Sequence, residues 1–155
     1  MARWSEVEEQ APELATLAKA FLDAHVHKTL ATNRRDGSPR ISGTEIRFID
    51  GELYFGSMLN AVKARDLLRD SRFAIHSGST DPPHWEGDAK LAGRVEEITD
   101  PGRIPAINGA ERASRSHLFR ADITELVVVR LVRDPTNYLD IAAWHPDRGV
   151  TRVQR

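Results

Sequence analysis

The chain contains no cysteine. That removes thiol nucleophiles, disulfides, iron–sulfur clusters and cysteine-ligated zinc at once. A chain without disulfides suits a reducing compartment. Long apolar runs are missing too. Nothing approaches the roughly 20 residues needed to cross a bilayer as a helix, and the polar, acidic start Met1–Glu9 has no apolar stretch behind a basic one. The expectation is a cytoplasmic protein without a membrane partner. An excess of one charge is also lacking: 22 Lys and Arg stand against 23 Asp and Glu, a formal net charge of −1. No overall field gathers nucleic acid or anionic lipid, so any anion site must be a local cluster. There is no Gly-x-Ser-x-Gly elbow and no dinucleotide-binding or Walker glycine pattern. The six histidines, at positions 25, 27, 76, 84, 117 and 145, never stand four apart as helical zinc ligands do. No metal site is expected.

What is present is a 155-residue chain, 40% hydrophobic and 29% charged. Such a chain is long enough for a sizeable core, and it reads as one domain over 1–155 with a helical segment at 1–26. Ser5 with Glu8 fits a capping box. Pro12 suits the first turn of a second helical piece, in which Leu14, Leu17, Ala18, Phe21 and Leu22 recur at helical spacing to about His25. Strand patterns follow: His27–Asn33, a single strand Arg40–Ile49 with alternating character, and Glu52–Ser57. Asp36-Gly37 and Asp50-Gly51 mark hairpins between them. A helix from Asn60 to about Asp70 precedes strands at Phe73–Ser77 and Ala89–Ile98. The Pro- and Gly-bearing stretch Gly78–Gly87 between these reads as a loop. A helical or irregular insert runs from Asp100 to about Phe119, before final strands near Glu125–Val132 and Tyr138–Trp144. Many short strands with tight turns predict an antiparallel barrel rather than a doubly wound sheet. A small barrel with few helices leaves much surface to bury, so a homodimer is expected.

The most informative segment runs from Tyr54 to Arg65. It reads as a strand end, a loop and the first turn of a helix. Helix N-termini present free N–H groups and a partial positive charge, so cations such as Lys63 and Arg65 near that turn are locally unfavourable. A phosphate seated there resolves the conflict, with Ser57 and Asn60 adding a hydroxyl and an amide. The alternative is that Asn60 merely caps the helix and Lys63 is solvated.

The order Gly37-Ser38-Pro39-Arg40-Ile41, Gly51-Glu52-Leu53-Tyr54-Phe55-Gly56-Ser57, Lys63-Ala64-Arg65-Asp66-Leu67 and Arg69-Asp70-Ser71-Arg72-Phe73, with Gly93-Arg94-Val95 later, resembles the pyridoxamine 5′-phosphate oxidase-like flavin-binding family. The resemblance covers about His27 to Arg152, including Trp144-His145-Pro146. It implies a mainly β protein with flanking helices, an antiparallel split β-barrel, and FMN at a dimer interface. On that resemblance Arg40, Ile41 and Ser42 line the flavin from one strand. Tyr54, Phe55, Gly56 and Ser57 lie along its ring and ribityl chain, Lys63 holds the phosphate, and a matching group comes from the other subunit at His76–Ser77 or Trp85. Relatives that use a deazaflavin coenzyme share the Lys-x-Arg-x-Leu helix start, and Lys63, Arg65, Arg34 and Arg35 could serve that longer, more acidic cofactor. Relatives that handle haem would place an axial ligand at a histidine such as His84 or His145.

Two positions depart from the name-giving enzymes. Their first flavin-contacting strand ends in lysine, where this chain has Glu45. Their C-terminal Arg-x-His element is replaced by Arg152-Val153-Gln154, at a different spacing from Trp144. Both changes remove groups suited to a phosphorylated pyridoxal ring. The reading is therefore a flavin-dependent oxidoreductase with another small-molecule substrate. A flavin-binding protein without catalysis and a dimeric scaffold without cofactor are the other classes. Arg112, Arg115, Arg120 and His117 read as one exposed helix face or as an anion site. Trp85 and Trp144 either pack or stack on the flavin ring.

Overall fold

The computed structural model describes residues 1–155. Two helices, α1 (Trp4–Gln10) and α2 (Pro12–Asp23), open the chain. Four strands follow, β1 (Lys28–Asn33), β2 (Pro39–Thr44), β3 (Ile46–Ile49) and β4 (Glu52–Met58), and then helix α3 (Val62–Arg69). Strands β5 (Arg72–His76) and β6 (Gly87–Glu97) lead to the short helices α4 (Arg103–Asn108) and α5 (Ala110–Ala113). Strands β7 (Ser116–Val132), β8 (Tyr138–His145) and β9 (Gly149–Gln154) end it. The anticipated antiparallel split barrel is what forms: the sheet runs β2-β1-β5-β6-β7-β4-β3, and β8 and β9 branch from β7.

The split follows from the length of β7. On one edge it pairs with β6 from Phe119 to Arg130. Its other edge is shared: β4 takes Ser116–Ala121 and β8 takes Leu126–Val132. In the gap, Ile123 exchanges both backbone hydrogen bonds with Ala2, at 2.9 and 2.7 Å. The N-terminus thus satisfies polar groups that neither strand can reach. At the same level the β6–β7 ladder carries a bulge between Ala92 and Gly93, where Thr124 is the extra residue and its hydroxyl donates to the Ala92 carbonyl.

Side chains on β4 and β7 alternate between two apolar layers. Leu53, Phe55, Phe119, Ala121 and Ile123 face the main core, which Trp4, Leu14, Ala18 and Leu22 of the N-terminal helices complete. Of the predicted helical face, Leu14, Ala18 and Leu22 are buried against the barrel together with Ala15, while Leu17 and Phe21 are only partly buried beside them. Tyr54, Leu118 and Ile98 point the other way into a small second core, roofed by Ile104 and Ile107 of α4.

Several boundaries differ from the sequence expectation. Glu6, not Glu8, closes back on the helix start, its carboxylate accepting the Arg3 N–H at 2.7 Å; Glu8 accepts from the Trp4 indole, and Ser5 N–H donates to the Gly51 carbonyl. Glu45 breaks the expected strand Arg40–Ile49 into β2 and β3. The insert ends at Arg115 rather than near Phe119, because β7 already begins at Ser116. Strand β9 was not foreseen: almost wholly exposed, it has no buried face to leave a period-two pattern. Asn60 does not cap α3. Its φ of +63° is left-handed, and Ala61 is the cap residue, with no side-chain hydrogen bond.

Helix α3 is held to the barrel by Asp66, which is buried. Its carboxylate accepts hydrogen bonds from Arg40 Nε at 2.7 Å, Thr32 Oγ1 at 2.9 Å and Arg69 Nη2 at 3.0 Å. Desolvation pulls this acid upward, but the bonds from Arg40, Arg69 and Thr32 outweigh it and hold the carboxyl below the ordinary aspartate value.

Two predictions follow from this architecture. A Cβ at Gly93 would stand 1.9 Å from the Asp122 carbonyl oxygen. Gly93→Ala should therefore lower stability by about 1–3 kcal/mol, whereas Gly43→Ala, whose Cβ meets nothing within 4 Å, should leave the thermal midpoint nearly unchanged; equal midpoints for both would contradict the bulge assignment. Because Asp66 has a depressed folded-state pKa, its stabilisation is present above the unfolded value of about 3.9 and fades as pH falls through the folded one. Asp66→Asn should cost about 1–3 kcal/mol at neutral pH, and should flatten the acid limb of stability against pH in urea titrations below about pH 4.

Candidate functional site

On the outer face of β4 lies a cleft of about 960 Å3, walled by the β2–β3 corner, the β4–α3 connection and the α4–α5 insert. Its size is at the upper end of the ordinary range for small-molecule sites. The strand pattern builds it. Outward-facing Gly56 lets the Asn108 side chain of the insert close onto β4: a Cβ there would sit 3.3 Å from Asn108 Nδ2. Gly43 leaves the end of β2 bare, so backbone lines the wall.

Lys63 lies in the first turn of α3 at the rim of this cleft. Its ammonium donates to the Gly43 carbonyl at 2.6 Å and has no carboxylate partner. Burial lowers its pKa below the usual lysine value. The N–H groups of Val62 and Lys63, the first two of the helix, find no protein acceptor. An oxyanion placed there would accept from those groups and favour the charged form of Lys63.

The opposite wall comes from the insert. Arg112, Arg115, Glu111, Asn108 and Ser116 line it. Asn108 Nδ2 donates to Ser116 Oγ at 2.9 Å, and Ser116 Oγ donates to the Arg112 carbonyl at 2.6 Å. Arg47 on β3 donates to the Ile107 carbonyl and ties the insert to the barrel. His27 and Glu45 complete the end near the β2–β3 corner.

Of the residues singled out from sequence, the cleft brings together Tyr54, Phe55, Gly56, Ser57 and Lys63. Tyr54 and Phe55 contribute mainly backbone. Phe55 is packed in the main core, and Tyr54 lies under α4 with its hydroxyl accepting from Arg103 at 3.1 Å. Arg40 and Arg65 line a separate shallow concavity beside α3, Arg40 being engaged with Asp66. Ile41 is exposed, and neither it nor Ser42 or Asn60 lines the cleft. Trp85 sits in the loop before β6, donating to Asp88 Oδ2 at 3.1 Å, and Trp144 is fully buried in the main core. Arg34 and Arg35 stand in the β1–β2 turn, away from the cleft. His84 is exposed, and His145 Nε2 pairs with Glu125 at 2.9 Å.

The expected cluster of Arg112, Arg115, His117 and Arg120 is not one helix face. The first two flank the cleft, whereas His117 and Arg120 are strand residues: His117 Nδ1 bonds Glu97 at 2.6 Å, and Arg120 pairs with Glu96 and Asp122. Sequence reasoning missed Arg47, Asn108 and the insert's role as a wall. Only the unusual length of the segment between two strand patterns signalled the last. Nowhere do three or more His, Asp or Glu side chains gather as a metal site would require, and no helix is long and apolar enough to cross a membrane.

Known structures share this architecture. An FMN-binding, pyridoxamine 5′-phosphate oxidase-related protein from Nostoc punctiforme superposes with a TM-score of 0.62 at 12% identity, over 96% of both chains. A conserved hypothetical protein from Mycobacterium tuberculosis gives 0.59 at 21% identity, over 70% of this chain and 79% of its own. An F420 reductase gives 0.55 at 18% identity, over 70% and 94%. At these identities the likeness is one of fold. No curated protein matches the sequence significantly. The sequence profile of the pyridoxamine 5′-phosphate oxidase family, however, matches residues 14–132, from the second helix through the whole of β7, and on that match the chain belongs to this family.

Proposed function

We propose that the cleft on the outer face of β4 binds FMN and that the chain is a flavin-dependent oxidoreductase acting on a small molecule other than pyridoxamine 5′-phosphate. The observation that carries the reading is Lys63: a half-buried ammonium with only a carbonyl partner, beside two unbonded N–H groups at a helix start. A phosphate fits that position by charge and by donor geometry. Gly43 at the end of β2, where a Cβ would meet nothing within 4 Å, allows a flat ring to approach backbone closely. When bound, the flavin supplies hydride exchange at its N5. The chain's own residues bind and orient: Lys63 and the α3 N–H groups hold the phosphate, and Ser57 offers a hydroxyl to the ribityl chain. The α4–α5 insert walls the site from water. The FMN-binding relative from Nostoc punctiforme supports the same cofactor.

Glu45 in the cleft wall speaks against a phosphorylated pyridoxal substrate, since its carboxylate would repel that phosphate. A deazaflavin coenzyme is the second reading. Arg112 and Arg115 on the insert wall favour it, because they add cations beyond what one phosphate needs, and one structural relative is an F420 reductase. Ile41, Met58, Leu59, Val62 and Leu68 are large exposed apolar side chains on β2, the end of β4, the connection after it and α3. They support a homodimer that covers this side of the molecule. The compartment that suits a cysteine-free chain is the cytoplasm.

Titration of the purified protein with FMN, riboflavin and a deazaflavin tests the cofactor. Lys63→Ala should weaken FMN by about 10- to 100-fold, the worth of one charge-assisted hydrogen bond, and leave riboflavin within about threefold; equal loss for both would remove Lys63 from phosphate binding. Oxidation of a reduced nicotinamide by the flavin-loaded protein separates an enzyme from a carrier.

A further inference from the structure

A second concavity of about 560 Å3 lies at the other end of α3, and no apolar side chain lines it. Three separate segments deliver five guanidiniums to it: Arg34 and Arg35 from the β1–β2 turn, Arg69 and Arg72 from the α3–β5 junction, and Arg94 from β6. The carboxylate among them, Asp70, is already engaged. Arg72 bonds both of its oxygens, and Asn33 Nδ2 donates to it at 3.0 Å. Arg69 is taken by Asp66 and by the Asn33 carbonyl. Arg34 and Arg94 make only long bonds to neutral acceptors, the Pro39 carbonyl at 3.4 Å and Ser71 Oγ at 3.2 Å. Arg35, Arg34 and Arg94 therefore bring three positive charges to one cavity without a direct ion pair, the nearest carboxylate to Arg34 being that of exposed Asp36 in the same turn, in a chain whose net charge is −1.

We propose that this cavity is a binding site for a compact, multiply charged oxyanion, in the class of the phosphate or diphosphate group of a small metabolite. Each guanidinium presents a planar fork of N–H donors that matches a phosphate edge bidentately. The absence of apolar or aromatic lining leaves only guanidinium planes against which a base or ring could rest, so the cavity holds the charged end of its ligand while the remainder lies in solvent. Convergence into a concavity, rather than along a ridge, fits a small anion better than a nucleic-acid backbone. The site is distinct from the cleft that Lys63 edges. The eight-residue helix α3 separates the two by about 12 Å, and neither Arg35 nor Arg94 lines the cleft. The proposal is independent of the flavin reading.

Calorimetric titration of the full-length protein with inorganic pyrophosphate tests it, at low salt and again at about 0.15 M, where nonspecific attraction is screened. Saturable binding of one pyrophosphate per chain is expected at both. Arg35→Gln with Arg94→Gln should weaken it about tenfold or more, with the thermal midpoint unchanged; Arg35→Gln alone, in an exposed turn, should weaken it about threefold. Lys63→Ala should leave the affinity as it is. Three results would overturn the proposal: equal affinity in wild type and both arginine variants, loss of binding in Lys63→Ala, or a single-stranded oligonucleotide that binds several proteins per strand and outcompetes pyrophosphate.

Discussion

Strand β7 has one free edge and two strands that need it. Of its 17 residues, Phe119–Arg130 pair with β6 along one side, and on the other β4 claims the first part and β8 the last. Everything else in the molecule accommodates that division. Ala2 fills the backbone vacancy at Ile123, which draws the N-terminal helices across the core. The bulge at Gly93 gives the ladder its extra residue where the split begins. Because β4 diverges from β8 there, its outer face is left to the insert, and the insert with the β2–β3 corner makes the cleft.

Helix α3 connects the fold to the chemistry. Asp66 joins it to β1 through Thr32 and to β2 through Arg40, so the direction of its first turn is set by buried hydrogen bonds rather than by loop geometry. That turn carries Lys63 into the cleft wall. The other end of the same helix contributes Arg69 to the arginine-lined cavity. One short element thus presents cationic surface at both of its ends, each facing a different concavity, and Lys63 at its start forms no ion pair with the carboxylates that line its cleft. In a chain with balanced charge, such local excess is a property of arrangement and not of composition.

The sequence was most readable where local chemistry decides structure. Asp50-Gly51 forms a two-residue turn with positive φ at both positions, as that dipeptide favours, and the apolar spacing of α2 placed its buried face correctly. The segment from Gly56 to Lys63 was legible because glycine, a helix start and an unmatched cation fall close together. The remainder depends on long-range pairing. Glu45 alternates in sequence like a strand residue, and only barrel closure turns it into a corner. Arg112 and His117 are five residues apart and look alike in charge, yet a helix ends and a strand begins between them. The insert's contact with β4 through Arg47 and Asn108 joins residues about 60 positions apart, beyond any periodicity. Tyr54 and Phe55 read as ring-facing aromatics, whereas the two apolar layers on either side of β4 absorb them both.

The central claim is that this member of the family seats a flavin phosphate between Lys63 and the start of α3. A crystal structure of the protein grown with FMN tests it most directly. The account predicts flavin density along the outer face of β4, with phosphate oxygens within hydrogen-bonding distance of Lys63 Nζ and of the Val62 and Lys63 N–H groups. Flavin density elsewhere on the chain, or a cleft that stays empty at saturating FMN, would contradict it.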